Sequence, residues 1–563
     1  MTNKQISENL KELALLMQLN NYDSFKVNSI HKAALLIETY PKELNSLAKE
    51  IINQIKGIGK SIAQKIEELI STNNLSEKQE LLNKTPKGLF DLLKINGLGI
   101  KTIIKLWQDH NITNIEDLHH LLEDNILNNK KTFTLQKAKQ LLSEIKFYES
   151  NKSKLLYPEA IIIAEDITDY INEKFQNAKT LIVGEIRRNC QIINSIEIIS
   201  TNIEPNKLVS LLESYFKTEK LNIEDKGTTN CLSFLIHNII CQIYILKKDS
   251  DFTKEALIYT GSHKFVDYIL NKIPPQQLRE YNCEKDIFTT AGITYIPSAL
   301  REDVYFTTIP NFPNIDISNL IRQDDIKGLL HNHSNYSDGK NSILDMANGC
   351  KSMGYEYFGL CDHSKSAFYA SGLQIETITL QHQEIDKLNK LLNPFKILKG
   401  IEVDILQDGS LDYSDDILKS FDFVVASIHT GLNMDKETAT NRIIKAISNK
   451  YVDILAHPTG RLLLKRKGYE LDYKKIFEAC IKYNVAIELN ANPIRLDLDW
   501  TLIYDASKMG VFISINPDAH SINGLNNITY GINMAQKGLL NKNLCLNALG
   551  LKELLNKFHT NRI

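Results

Sequence analysis

The chain has 563 residues, 43% of them apolar, with 66 Lys plus Arg against 68 Asp plus Glu. That length exceeds what one hydrophobic core serves, so several domains are expected. Balanced charge excludes a chain-wide basic field, and any contact with nucleic acid must rest on local patches. The eight cysteines are scattered without a C-x-x-C, which argues for reduced thiols and against a disulfide framework or a cysteine zinc site. A polar start, MTNKQISENLKEL, and no apolar run of spanning length predict a cytoplasmic protein with no membrane partner.

From Ile6 to about Tyr148 apolar residues recur at helical spacing, as in Leu10, Leu13, Leu16 and Met17. Two related signals lie inside this region. IKGIGKSIAQK carries Gly57, Gly59 and Lys60; INGLGIKTIIK carries Gly97, Gly99 and Lys101. Each sets a Gly-apolar-Gly turn before a helix, so that backbone N–H groups and a helix start can face a phosphate. The alternative is a glycine turn between packed helices. The pair resembles the helix-hairpin-helix motif of DNA-binding proteins. The first copy and its surroundings also resemble the lyase region of family X DNA polymerases, in which a lysine at the place of Lys65 forms a Schiff base. Lys65 is thus a candidate lyase residue, against the plainer reading of a solvated helix lysine near phosphate.

From about Tyr157 β-branched runs such as TLIVGEIRR, IINSIEIIST and CLSFLIHNIICQIYIL predict an α/β region with a mostly antiparallel sheet. The resemblance to family X continues here, with departures. In the family a Gly-Ser start cradles the triphosphate and three aspartates hold two magnesium ions. Here Gly184, Arg187 and Arg188 keep the start of the pattern, but Glu185 replaces the serine. Ser195 and Glu197 stand where the paired aspartates belong, and Gln242 where the third belongs. One carboxylate is too little charge for two ions. The expectation is a palm that does not polymerise DNA. ALIYTGSHKF, with Thr260, Gly261 and Ser262, and ITYIPSALRED, with Pro297, Leu300, Arg301 and Glu302, fit a retained thumb-like scaffold. REDVYFTTIPNFPNIDIS, with Pro310 and Pro313, reads as a linker.

Beyond Asn319 seven apolar runs, KGLL, YFGL, FKILKGIEVDI, DFVVASI, VDILA, VAIEL and VFISI, each precede helical periodicity. Parallel strands with crossover helices follow, and seven units suggest a β/α barrel. The strand ends gather His331, His333, Asp338, His363, Glu402, His429, His457, Asp518 and His520. Period-two alternation would turn His331 and His333 to one face. Singly each could be a core or loop residue; strand C-termini of a barrel converge on one mouth, which brings imidazoles and carboxylates to one cavity. Lys365, Arg461 and Arg495 lie near that mouth as candidates for the DNA backbone, Arg461 first.

These motifs resemble the PHP domain, and the whole chain resembles bacterial family X DNA polymerases with a C-terminal PHP exonuclease. The resemblance implies a multidomain α plus α/β chain: 1–80 a lyase-like helical domain with the first helix-hairpin-helix, 81–150 a fingers-like helical domain with the second, 151–255 a nucleotidyltransferase-like palm, 256–318 a thumb-like region and linker, 319–563 a PHP barrel. It implies up to three divalent metals: His331, His333, Glu402 and Asp518 on one; Glu402, His429 and His457 on a second; Asp338, His363 and His520 on the third. Mn²⁺ or Zn²⁺ suit such ligands, with Mg²⁺ or Fe²⁺ as alternatives. Glu402, Asp518, His457 and Arg461 are the residues expected to carry catalysis. The expected function is a metal-dependent phosphoesterase, a 3′→5′ exonuclease on gapped or damaged DNA in repair, with a monomer as the default state. Rivals are an active gap-filling polymerase with an exonuclease, a histidinol-phosphate-like phosphatase and a non-enzymatic DNA-binding scaffold.

Overall fold

The computed structural model describes residues 1–560 apart from 39, 48, 128–131, 217–220, 275–276, 278–280 and 282. The chain divides into two compact units, Met1–Lys152 and Ser153–Ile563. The five segments expected from sequence are a finer division than this and stay our proposal.

The first unit is helical. Helix α1 (Asn3–Leu19) starts at Thr2, which accepts from Gln5 N while the Gln5 side chain accepts from Thr2 N, a reciprocal cap. Its buried stripe of Ile6, Leu10, Leu13 and Met17 packs with α2 (Ser24–Glu38) and α3 (Lys60–Thr72) in one core. A second core joins α4 (Ile100–His110) and α5 (Leu135–Asn151). The internal repeat reaches further than its glycines: α3 and α4 both start at a glycine N-cap, Gly59 and Gly99, and both close on a left-handed asparagine, Asn73 and Asn111.

The second unit contains two larger sheets. Strands β1 (Lys179–Ile182), β2 (Ser195–Thr201), β3 (Asn222–Asp225), β4 (Thr229–Ile236) and β5 (Ile239–Leu246) form one in the order β1-β2-β5-β4-β3, antiparallel except for the β2–β5 pair. The other is a run of seven parallel strands in sequence order: β6 (Gly328–Asn332), β7 (Tyr357–Leu360), β8 (Lys396–Asp404), β9 (Phe423–Ser427), β10 (Ile454–Leu455), β11 (Ala486–Asn490) and β12 (Ile513–Asn516). Each follows an apolar run named from sequence. An Asn332–Ala519 bridge joins the first strand to the segment after the last, so the barrel is nearly closed. All seven strands are buried throughout apart from Lys396 and Lys399, which fits a parallel sheet covered on both faces.

The stretch read as a linker is packed instead. Tyr305 and Ile309 are buried in a core that Trp500 and Tyr504 border, and the Tyr305 hydroxyl donates to Lys537 O. The prolines interrupt regular structure as expected, but Tyr305, ahead of them, has a barrel surface to cover at Trp500.

Candidate active site

The barrel strands deliver nine side chains to one mouth. Glu402 is its hub. This carboxylate, 1% exposed, lies 3.4 Å from His331 Nε2, 3.7 Å from His333 Nε2, 2.8 Å from His363 Nδ1, 3.2 Å from His429 Nε2 and 3.0 Å from His457 Nε2. Asp518 Oδ1 lies 3.2 Å from His333 Nε2 and 3.7 Å from both His331 Nε2 and His520 Nδ1. On the far side Asp338 Oδ2 is 3.3 Å from His520 Nε2 and 3.6 Å from His363 Nε2.

Three sets have the spacing of metal ligands: His333, Asp338, His363 and His520; His331, His333 and Asp518; His363, Glu402 and His429. These overlap the expected grouping without repeating it, since His333 also faces Asp338 and His363 also faces Glu402. Among the described residues no such set falls in the five-stranded sheet.

The donors suit cations. Buried ring nitrogens of His331, His333, His363 and His457, and Glu402 Oε2, have no hydrogen-bond partner of suitable geometry, which is costly unless something else satisfies them. Burial alone would raise Glu402 and Asp518, but the surrounding imidazoles hold both carboxyls well below the usual range. His333 is pushed down to about 3 by burial and by His520 and His363; His457 is lowered by burial and by Arg495. Burial would lower His331, His363, His429 and His520 too, but the neighbouring carboxylates outweigh it and raise all four. Ionised carboxylates are the ligand state a divalent metal requires, and a metal would displace a proton from each raised imidazole.

The backbone is bent to aim these groups. His331, His457 and Asp518 have φ of +55°, +25° and +49°, values uncommon outside glycine and informative where they cluster. At His331 this corrects the expectation of plain alternation. The β6–β7 register shifts between Leu329 and Asn332, and such an irregularity re-aims a side chain.

A supporting shell was not legible at the sequence level. Glu488, fully buried in β11, lies 2.6 Å from His331 Nδ1 and accepts from His457 N, Asn490 Nδ2 and Asn516 Nδ2. Asp404 Oδ1 lies 2.5 Å from His429 Nδ1. Such partners fix the ring orientation of a ligating histidine. The signal was a Glu and an Asn two apart inside an otherwise apolar strand, VAIELN.

The Arg461 side chain lies against the Arg495–Asp499 segment. Its guanidinium donates to Asp499, to Arg495 O and to Leu496 O. This placement makes it a support for the segment carrying Arg495, whose Nε is 3.7 Å from Asp518 Oδ2. The Lys365 ammonium lies over the Tyr413 ring.

Elsewhere, Gly57 and Gly97 have φ of +100° and +79°, and the exposed Lys60 and Lys101 follow them at the helix starts. No atom comes within 4 Å of a Cβ built on Gly59 or Gly99, so the backbone there is open to approach. The Lys65 ammonium is paired with Glu77. In the five-stranded sheet Glu197 and Gln242 are in register on adjacent strands, and Ser195 Oγ donates to Glu197. Burial raises the Glu197 carboxyl, with Glu185 adding to it. Glu185 itself accepts from Asn194 N and Nδ2. The retained residues serve packing: Arg187 donates to Thr260 and Glu284, and Arg188 to Thr260 O and Glu302. Arg301, fully buried, donates to Glu284 and lies over Phe265 and Phe288. Ser262 N donates to Arg301 O.

A family model described as a helix-hairpin-helix domain matches residues 1–75, and one described as a PHP domain matches residues 330–492. Fold and site together define a PHP barrel on a chain that begins with a helix-hairpin-helix region. The chain is similar to the DNA polymerase/3′-5′ exonuclease PolX of Bacillus subtilis (strain 168), 32% identical over 98% of each chain. It belongs to the PolX family, the bacterial family X DNA polymerases with a C-terminal PHP domain. It is also similar to a probable phosphatase of Thermoanaerobacter sp. (strain X514), 30% identical over 32% of this chain and 79% of that one, and to one of Aliivibrio fischeri (strain MJ11), 26% identical over 34% and 76%. No helix among the described residues is long and apolar enough to cross a membrane.

Proposed function

We propose that this chain is a metal-dependent DNA phosphoesterase, a 3′→5′ exonuclease acting at gapped or damaged ends in cytoplasmic DNA repair, on a family X scaffold whose polymerase site is inactive. The observation that carries the hydrolytic reading is Glu402, one buried carboxylate within 3.7 Å of five imidazoles. Imidazole and carboxylate ligands suit manganese, zinc or iron, held by the nine residues in the three groups the resemblance implies. When bound, such ions supply Lewis-acid stabilisation of phosphoryl charge and lower the pKa of water, toward ~7 for zinc. The residues of the chain do the rest. Glu402 and Asp518 fix the imidazoles about one centre, Glu488 and Asp404 hold the rings, Arg495 offers a guanidinium to a phosphate oxygen, and Arg461 acts through Arg495.

The loss of polymerase activity rests on Ser195, Glu197 and Gln242, which leave one carboxylate, itself biased toward its neutral form, where two magnesium ions need several.

A 3′-labelled recessed duplex, assayed with manganese, magnesium and zinc, tests both halves. Degradation is expected and should vanish on chelation and in the His331→Ala/His333→Ala variant; undiminished cleavage in that variant overturns the reading. Primer extension with manganese and all four nucleotides should give nothing, and template-dependent extension abolished by Glu197→Ala would restore the polymerase. The probable phosphatases among the relatives favour a second reading, hydrolysis of a small phosphomonoester, which a histidinol-phosphate-like amino-alcohol phosphate assayed beside the duplex would reveal.

A further inference from the structure

At the rim of the ligand cluster two aromatic side chains face solvent. Phe368 and Tyr369 begin a single helical turn, Phe368–Ala370, in the loop after His363. They are 84% and 67% exposed. The Tyr369 ring centroid is nevertheless 6.1 Å from that of His363 and 6.2 Å from that of His429. A lone exposed ring is ordinary. Two in succession, the inner one beside the imidazoles of His363 and His429, are not.

The turn is held firmly under them. Ala367 and Ala370, on either side of the pair, are buried. Ser364 Oγ and Ser366 N both donate to Asp412, Gly372 N donates to Ala367 O, and Leu373 N to His363 O. Gly372 passes Ser364 so closely that a Cβ would lie 1.9 Å from its carbonyl oxygen. Rings on a fixed backbone present a large flat area with little left to order on binding.

We propose that Tyr369, flanked by Phe368, is a stacking platform for the unpaired base at the 3′ end of DNA. This rests on the exonuclease reading above. A nucleobase is the occupant that the position favours: a DNA phosphate at the ligand cluster brings its own base to the rim. Stacking on an aromatic ring is indifferent to base identity, which suits removal of successive nucleotides. A paired terminal base has its faces covered and must first be unstacked.

The test uses the full chain with manganese and two single-stranded oligonucleotides, one ending in an ordinary 3′ nucleotide and one in a 3′ abasic residue. Phe368→Ala/Tyr369→Ala should raise KM on the ordinary end roughly 5- to 150-fold, the range that stacking of one base supports. On the abasic end, which has no base to stack, the change should stay below about twofold. Phe368→Tyr/Tyr369→Phe should restore the ordinary KM. Manganese content and thermal transition equal to those of the unsubstituted chain exclude loss of fold as the cause. An equal KM change on both ends, or none on either, overturns the platform. If the unsubstituted chain degrades neither oligonucleotide, the exonuclease reading itself fails and the platform falls with it.

Discussion

Among single residues Glu488 is the most informative, because it supports the candidate site from behind: it holds the His331 ring and the His457 backbone, and shares Asn490 with Asp518. Replacing it with glutamine keeps the shape but removes the charge that orients the His331 ring and makes it a better ligand. Outer carboxylates of this kind are worth ~10–100-fold in metal affinity. Glu488→Gln is therefore expected to shift the manganese dependence of nuclease activity by that factor to higher concentration, with the plateau recovered; an unshifted titration would reduce Glu488 to a packing residue. Glu402→Gln should differ in kind. As the shared hub it supports several imidazoles at once, so metal content measured on the purified chain should fall and activity should not return at high metal. The sequence shows which residues cluster at the strand ends, because strand-end position in a barrel is a matter of topology. It marks Glu488 only as a charge beside Asn490 in an otherwise apolar strand, without showing which histidine it meets, and it hides the bulge at His331, since no local residue type marks one extra residue in a ladder.

At the scale of elements, the two glycine turns were legible because they demand glycine: Gly57 and Gly97 occupy φ that side chains rarely adopt. If both turns present their amides and the following lysine to phosphate, Lys60→Ala and Lys101→Ala should each weaken DNA binding regardless of sequence and reduce the slope of log K against log salt by ~1. Fluorescence anisotropy across a salt series measures this. An unchanged slope in one variant would leave that copy as a packing turn. Lys65 is different, because its pairing with Glu77 across the helix junction could not be read from spacing along one helix. A Lys65-dependent adduct trapped by borohydride on abasic DNA would add a lyase step; its absence would leave Lys65 a partner of Glu77.

On the scale of the second unit, the segment carrying Glu302 is clamped between the five-stranded sheet region and the barrel by one carboxylate. Glu302 Oε1 accepts from Arg188 Nε at 3.0 Å and from Lys537 Nζ at 2.6 Å; Lys537, 1% exposed, also donates to the carbonyls of Arg188 and Ala299 and lies over the Trp500 ring. None of Ser195, Glu197 or Gln242 hydrogen-bonds to Glu302 or Lys537, so these three positions can change without loosening this clasp. Burial would raise the Glu302 carboxyl, but the Lys537 and Arg188 charges overcome it and hold it below the ordinary value. A carboxyl lowered in the folded state stabilises fully above its unfolded pKa of ~4.3 and loses that contribution as pH falls through the folded value. Glu302→Gln leaves the Lys537 ammonium buried without its counter-charge, a change that costs ~3–5 kcal/mol when a buried pair loses one partner. The urea midpoint, followed through Trp500 in a Trp107→Phe background, should thus fall in Glu302→Gln at pH 7, and the gap from the parent should narrow as pH drops through the range below ~4. Glu302→Leu/Lys537→Met should recover only part of the loss, since an apolar pair can replace the buried Glu302–Lys537 pair but Arg188 still lacks its counter-charge. A gap that is constant with pH would mean that shape, and not charge, holds the sheet region to the barrel.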